Sequence, residues 1–432
     1  MGFIKQSVTF CCLIVLLTYI KSLFEPKLPL VFDGYYHPAF KNVADKFREN
    51  VESGKERGGA FAVYHKGRLV VDIWGGYADL EAQRPWQKDT MTLGFSNTKG
   101  IAAVMIAKMV ENGLLNYKDP VAKYWPEFAQ NSKGNITLEL LMSHQAGLIY
   151  LDEPIGIFDI SANPEKVEKS LSAQKTVWPA GSAHGYHSLT YGPYVDTLIR
   201  KVDPKKRSTD KYFIEDFAKP FDIDMYMATP REEYYRVARL YENPIWKALL
   251  IALTDSRYGS IFVKFATDPK SLVATAATAV TEFAQGSSQF LNNPYVREHV
   301  LSCCFGTGTA RGFAKVYGIL SNGGVDVNNK RLLSEKTIEI LATPLVSSED
   351  VTLGVETTVG RGTVFKDNPR GEPMFGHCGN GGQVAMGDLK NNIGISYLTN
   401  HMSTYGFGDD PRYVDLENEL YKSLDNYIAR GG

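Results

Sequence analysis

The sequence predicts an α/β (α+β) fold: one antiparallel sheet built from both chain ends, flanked by helices, with a mostly helical subdomain inserted in the middle. Three observations predict it. A hairpin pattern lies near the start, in Ala60-Phe61-Ala62-Val63-Tyr64 and Leu69-Val70-Val71-Asp72-Ile73-Trp74 around a His65-Lys66-Gly67-Arg68 turn. Strand patterns return near the end, at Leu353–Thr358, Gly382–Asp388 and Gly394–Thr399. Between them, from about residue 115 to 300, the periodicity is mostly helical.

The elements follow in order. Residues 1–24 read as a signal peptide or signal anchor: Lys5 precedes an apolar run from Val8 to Ile20, closed by Lys21. As a helix that run spans roughly 20 Å, short of the about 30 Å of bilayer hydrocarbon. Ile20-Lys21-Ser22 is a poor cleavage site, so an uncleaved anchor stays open beside a released form. Residues 25–432 form the body. A helix is expected from His37 to Glu52, then the hairpin, then an apolar helix through Ile101–Val110 that stops at Gly113. Leu138–Met142 and Tyr234–Leu240 read as helical pieces, as do Gly312–Leu320 and Ser334–Leu341. The stretch from Trp246 to Val300 is aromatic and alanine-rich, and reads as a lid or an extra helical layer.

Composition narrows the function. Of 432 residues, 44% are hydrophobic and 22% charged, ample for a sizeable core. A formal net charge of −1 without a basic stripe excludes nucleic acid as the expected partner. Five cysteines without CxxC or His/Cys spacing call for neither a disulfide framework nor a metal, although one disulfide stays open. No cofactor motif is present. Asn135-Ile136-Thr137 is a glycosylation sequon, consistent with the secretory route, anchored to the membrane or secreted.

The chemistry centres on Gly94-Phe95-Ser96-Asn97-Thr98-Lys99-Gly100. Ser96 and Lys99 stand three residues apart at the mouth of the apolar helix, so a nucleophile and its candidate base share one helix face. Ser-x-x-Lys also occurs at Ser172/Lys175 and Ser208/Lys211, but in polar surroundings. Only Lys99 has the burial expected to make it neutral. Tyr186, in Gly185-Tyr186-His187-Ser188, follows a turn-rich approach and is a candidate general acid or base. Phe375-Gly376-His377-Cys378-Gly379-Asn380-Gly381-Gly382 is expected to open a strand. There His377 is a candidate donor to a substrate carboxyl or to Tyr186, and the N–H groups of Ser96 and Asn380 are a candidate oxyanion hole. Cys378 is expected on the opposite sheet face.

In this order the three clusters resemble the serine β-lactamase-like superfamily: class C β-lactamases, DD-peptidases and related esterases. Met109–Leu115, Asp119-Pro120-Val121, Ile136–Leu141, Ser143–Leu148 and Gly308-Thr309-Ala310-Arg311 extend the likeness, over roughly Phe40 to Leu398. It is weakest in the divergent stretch 231–300. The resemblance implies Ser96 as nucleophile, Lys99 as its proton partner and Tyr186 as general acid/base. It also implies His377 and Gly379 as the third element, with Ser188 at a substrate-contacting position. Ser188 stands where class C enzymes have asparagine and His377 where they have lysine, which shifts the expectation from lactams to esters or peptides. The expected activity is two-step acyl transfer on a small-molecule or peptide substrate. Animal members of the superfamily include assembly proteins, so the second expectation is a non-catalytic, membrane-tethered scaffold; homo-oligomers are left open.

Overall fold

The computed structural model describes residues 28–285, 287–429 and 431, with isolated positions 13, 16, 17 and 20. The expected leader thus lies almost wholly outside the described residues. Among those described, no helix is long and apolar enough to cross a membrane.

One antiparallel sheet organises the chain. In sequence order its main strands are β1 (Phe32–Tyr36), β2 (Gly58–His65), β3 (Arg68–Asp79), β4 (Val346–Asp350), β5 (Val355–Val359), β6 (Val364–Asp367), β7 (Pro373–Gly379), β8 (Gln383–Asp388) and β9 (Ile393–Thr399). In space they run β1-β3-β2-β9-β8-β7-β6-β5-β4. The two chain ends meet at the β2–β9 seam, where Ala62 pairs with Ser396 and Phe61 with Tyr397. The β2–β3 turn has positive φ at both Lys66 and Gly67, the geometry that matches strand twist in a tight hairpin.

Both faces of the sheet are covered, so β2 and β9 are buried at every position and do not alternate apolar with polar residues. On one face Phe61, Val63, Ile73 and Ile395 pack with Phe40, Val43 and Phe47, the latter two on helix α1 (Lys41–Glu52), and with Leu416 and Leu420 of the C-terminal helix α10 (Pro411–Ala429). On the other face Ala60, Ala62 and Ala385 meet α2 (Asn97–Glu111) and α8 (Ala310–Ser321). Gly394 lets α8 approach the sheet closely, since a Cβ there would stand 2.0 Å from the Gly318 nitrogen. Between α2 and α8 the chain forms the helical insertion, which includes α3 (Leu138–Met142), α4 (Tyr191–Val202), α5 (Ile245–Thr254), α6 (Ser256–Thr267) and α7 (Leu272–Ala276); α9 (Glu335–Leu341) follows α8.

Two expectations need correction. Tyr234–Leu240 is not an α-helix: a 3-10 turn over Arg231–Arg236 gives way to extended chain. Met91 captures that segment, its N–H donating to Arg236 O at 3.0 Å and its carbonyl accepting from Ala238 at 2.8 Å. The glycine cluster around His377 ends strand β7 instead of opening one, and Asn380–Gly382 turn the chain into β8. The described cysteines Cys303, Cys304 and Cys378 are free.

A buried ionic cluster fastens α10 to the seam. Arg412 pairs with Asp410 at 2.7 Å and with Glu56 at 3.5 Å, and Glu56 also accepts from Tyr397 and from Thr399 (2.8 Å). Arg412→Ala would strand two buried carboxylates and is expected to cost about 3–5 kcal/mol of stability, read by chemical denaturation. A loss below about 1 kcal/mol would mean that the cluster is hydrated.

Candidate active site

Ser96 stands at the N-terminal edge of α2, presented by a strained turn. Phe95 just before it has φ +47°, the left-handed region that a bulky side chain avoids, at a cost of order 1–3 kcal/mol. A closed set of hydrogen bonds holds this conformation. Gly94 N–H donates to Gly306 O (2.8 Å), Gly306 N–H to Thr98 Oγ1 (2.9 Å), and Thr98 Oγ1 to Phe95 O (2.6 Å).

The spacing to Lys99 works as a helix dictates: Nζ lies 3.3 Å from Ser96 Oγ. Lys99 is fully buried and also donates to Ser188 O at 2.8 Å and Cys303 O at 2.9 Å. Tyr186 brings its hydroxyl to 2.8 Å from Ser96 Oγ, and Lys99 Nζ sits 4.8 Å from the centre of its ring. Burial opposes charge on Lys99, but the neighbouring Tyr186 oxygen and the Cys303 thiol outweigh it and hold the ammonium above the usual lysine range. The expectation of a neutral lysine is therefore corrected. Burial pushes the Tyr186 phenol up, and Lys99 offsets this only in part. At rest the pair is ammonium and phenol.

His377 lies on β7, its ring centre 6.0 Å from that of Tyr186. Its Nδ1 meets Cys378 O at 2.7 Å, and since a carbonyl only accepts, Nδ1 carries the hydrogen. The remaining Nε2 is a bare acceptor, buried without a protein partner. Burial, helped by Lys99, pushes His377 down to about 3, so the ring stays neutral. The expected donor toward a substrate carboxyl is thus an acceptor. Cys378 faces the α1/α10 side, as strand alternation requires.

Ser96, Tyr186, His377 and Asn380 line one cavity. Gly379 permits this convergence, because a Cβ there would stand 2.5 Å from Gly94 O in the turn that presents Ser96. Ser188 is placed differently from expectation: its hydroxyl turns toward Ala276 O at 3.5 Å, and its contribution is the backbone carbonyl on Lys99. Asn135 is exposed, and Thr137 of the same sequon caps α3 through Leu140 N.

Several supports went unread in the sequence. Asp350, on the edge strand β4, accepts from the Tyr186 N–H at 3.1 Å and holds the tyrosine loop against the sheet. His187 donates from Nδ1 to Gly185 O (2.7 Å) and accepts from Leu148 N–H at Nε2 (2.9 Å). His144, whose φ is +61°, accepts from the His187 N–H and packs edge-on against Tyr186. The Ser143–Leu148 and Gly185–Ser188 segments were visible in sequence, but their contact was not.

These buried rings also set an acid limit. Burial pushes His187 down to about 4, against about 6.5 in an unfolded chain. Below pH 6.5 the unfolded chain takes up protons that the folded one refuses, so stability is expected to fall as pH drops. The loss runs at up to about 1.4 kcal/mol per pH unit for each histidine, ending near pH 4 for His187 and near pH 3 for His377. Urea midpoints at pH 7, 6 and 5 measure it, and an unmoved midpoint would place these rings in water.

Known proteins resemble this chain over most of its length. Residues 43–419 match the Beta-lactamase family. The Esterase/beta-lactamase LipL of Mycobacterium tuberculosis is 28% identical over 378 residues, 85% of this chain and 83% of LipL. A solved family VIII carboxylesterase is 31% identical with a TM-score of 0.78, covering 91% of this chain and 99% of that one. A penicillin-binding protein homologue from Caulobacter crescentus is 29% identical with a TM-score of 0.75, over the same 91% and 99%. With its sequence matched from α1 into the C-terminal helix and its fold shared with these neighbours, the chain belongs to the beta-lactamase family and is a serine hydrolase.

Proposed function

We propose that the protein is an esterase working by two-step acyl transfer. The observation that carries this reading is the convergence of the Tyr186 hydroxyl and the Lys99 ammonium on Ser96 Oγ, at 2.8 and 3.3 Å. The reactive form is the Lys99–Tyr186 pair with one proton fewer. It takes the Ser96 proton as Oγ attacks the ester carbonyl carbon, and the carbonyl electrons move onto oxygen. The N–H groups of Ser96 and Asn380 hold that oxyanion, a contribution on the order of 10²–10³-fold per donor. Tyr186 then passes the proton to the departing alkoxide oxygen as the ester C–O bond breaks. Water repeats the attack on the acyl-Ser96 with the same pair as base, releasing the acid and restoring the hydroxyl.

Two features favour esters over lactams that carry a carboxylate. His377 offers a neutral acceptor where an anion needs a cation, and the similar proteins include esterases. A serine-directed fluorophosphonate, a p-nitrophenyl ester, a carboxylate-bearing chromogenic lactam and a D-Ala–D-Ala peptide test the reading together. We expect labelling and ester turnover well above lactam or peptide turnover. Absent labelling, with large polymers on sedimentation, would replace the esterase with a scaffold. We also propose the secretory route for the chain, supported by the exposed Asn135; a glycosidase-sensitive mobility shift lost in Asn135→Gln tests it.

A further inference from the structure

The cavity that opens from Ser96 has a volume of about 640 Å³, far more than an acetyl group needs. Its lining is mainly apolar, although Arg257, Asp350, Glu356 and Lys366 also line it. Away from Ser96, Ile261, Phe262 and Phe265 on α6 share the cavity wall with Leu353 of the β4–β5 turn, Val355 of β5 and Phe365 of β6. Helix α6 lies across the β4–β5 turn, with Lys264 Nζ so near Gly354 that a Cβ there would stand 2.3 Å from it.

The helix is fastened at one end. The Tyr258 hydroxyl donates to Asp409 (2.7 Å) and accepts from Gly406 N–H (2.9 Å), while Arg257 pairs with Asp409 at 2.7 Å. Beyond this anchor the apolar residues are left uncovered: Phe262 is 37% exposed and Phe265 49%. Apolar surface facing a catalytic cavity gains free energy only when hydrocarbon covers it.

We propose that this cavity houses the hydrocarbon chain of the acyl group, so that the preferred substrates are medium- to long-chain esters. The inference rests on the acyl-transfer reading. In that reaction the alcohol departs while the acyl group stays bonded to Ser96, so the acyl chain must occupy the space adjoining Oγ. Each methylene buried there contributes at most about fourfold to kcat/KM.

The test is a series of p-nitrophenyl esters from acetyl to dodecanoyl, together with saturation-transfer NMR of octan-1-ol, which needs no turnover. For the wild type we expect octanoyl over acetyl by at least about tenfold in kcat/KM, well inside that limit. In Ile261→Asn and Phe265→Asp the ratio should collapse toward one, whereas Leu253→Asp, on a side chain 84% exposed and outside the cavity lining, should keep it. Octanol should show saturation transfer with wild type and Ser96→Ala, and lose it in the two cavity variants. A wild type that turns over acetyl best overturns the chain-length proposal and leaves the esterase standing. If no ester is cleaved and no serine is labelled, the esterase falls. The octanol signal then decides the cavity: present and lost in Ile261→Asn, it remains a hydrocarbon site; absent, that proposal falls too.

Discussion

Replacing Ser96 by alanine is expected to lower kcat/KM for a p-nitrophenyl ester by at least about 10³-fold, or roughly 4 kcal/mol of transition-state stabilisation. The variant should also lose covalent labelling by a fluorophosphonate. Alanine is a safe probe of chemistry here, because the Phe95 conformation is held by Gly94, Gly306 and Thr98 and not by the serine hydroxyl. The fold should therefore persist, with its unfolding midpoint close to that of the wild type. Because the three groups act on one proton, Tyr186→Phe added to Ser96→Ala should cost little more. Equal labelling of wild type and Ser96→Ala would remove Ser96 from the reaction.

The second large effect concerns the proton. Tyr186→Phe keeps the ring over Lys99 but deletes the 2.8 Å contact with Ser96, and is expected to lower kcat/KM by roughly 10²–10⁴-fold. Lys99→Met should fall in the same range, since it removes both the amine and its field on the phenol. The pH profile discriminates further. Lys99 and Tyr186 are both held above their ordinary values, so at neutral pH the pair carries one proton too many to act as a base. As pH rises that proton leaves, and kcat/KM should climb through the neutral and alkaline range toward tenfold per pH unit. His377, near 3, adds no limb between pH 5 and 8. A plateau from pH 6 to 9 would mean that Lys99 is already neutral, as burial alone would have it.

How far the sequence was legible follows the range of the forces involved. The β2–β3 hairpin, α2 and the strands around 383–399 were readable because their signals are local: alternation, a two-residue turn, an apolar helix with its glycine stop. The helix α10 went unread although Tyr413, Leu416, Leu420 and Leu424 lie on one stripe, because its buried face is completed by α1 from the far end of the chain. The edge strand β4 and the nearby β6 are short and partly exposed, and carry little alternation. At the site, Ser96 and Lys99 were readable because three residues along a helix is a distance. Asp350 was not, because its partner, the Tyr186 N–H, is 164 residues away.

The residues alone specify the apolar helix behind Ser96, a sheet drawn from both termini, and three clusters of side chains suited to acyl transfer. Their meeting around one cavity, the proton inventory of Lys99 and the acceptor role of His377 were decided by the tertiary structure. The physical reason is that a charge state depends on who surrounds the group. Lys99 takes its carbonyl partners from residues 89 and 204 positions away, and His377 becomes an acceptor because its other nitrogen is committed to the backbone of its own strand.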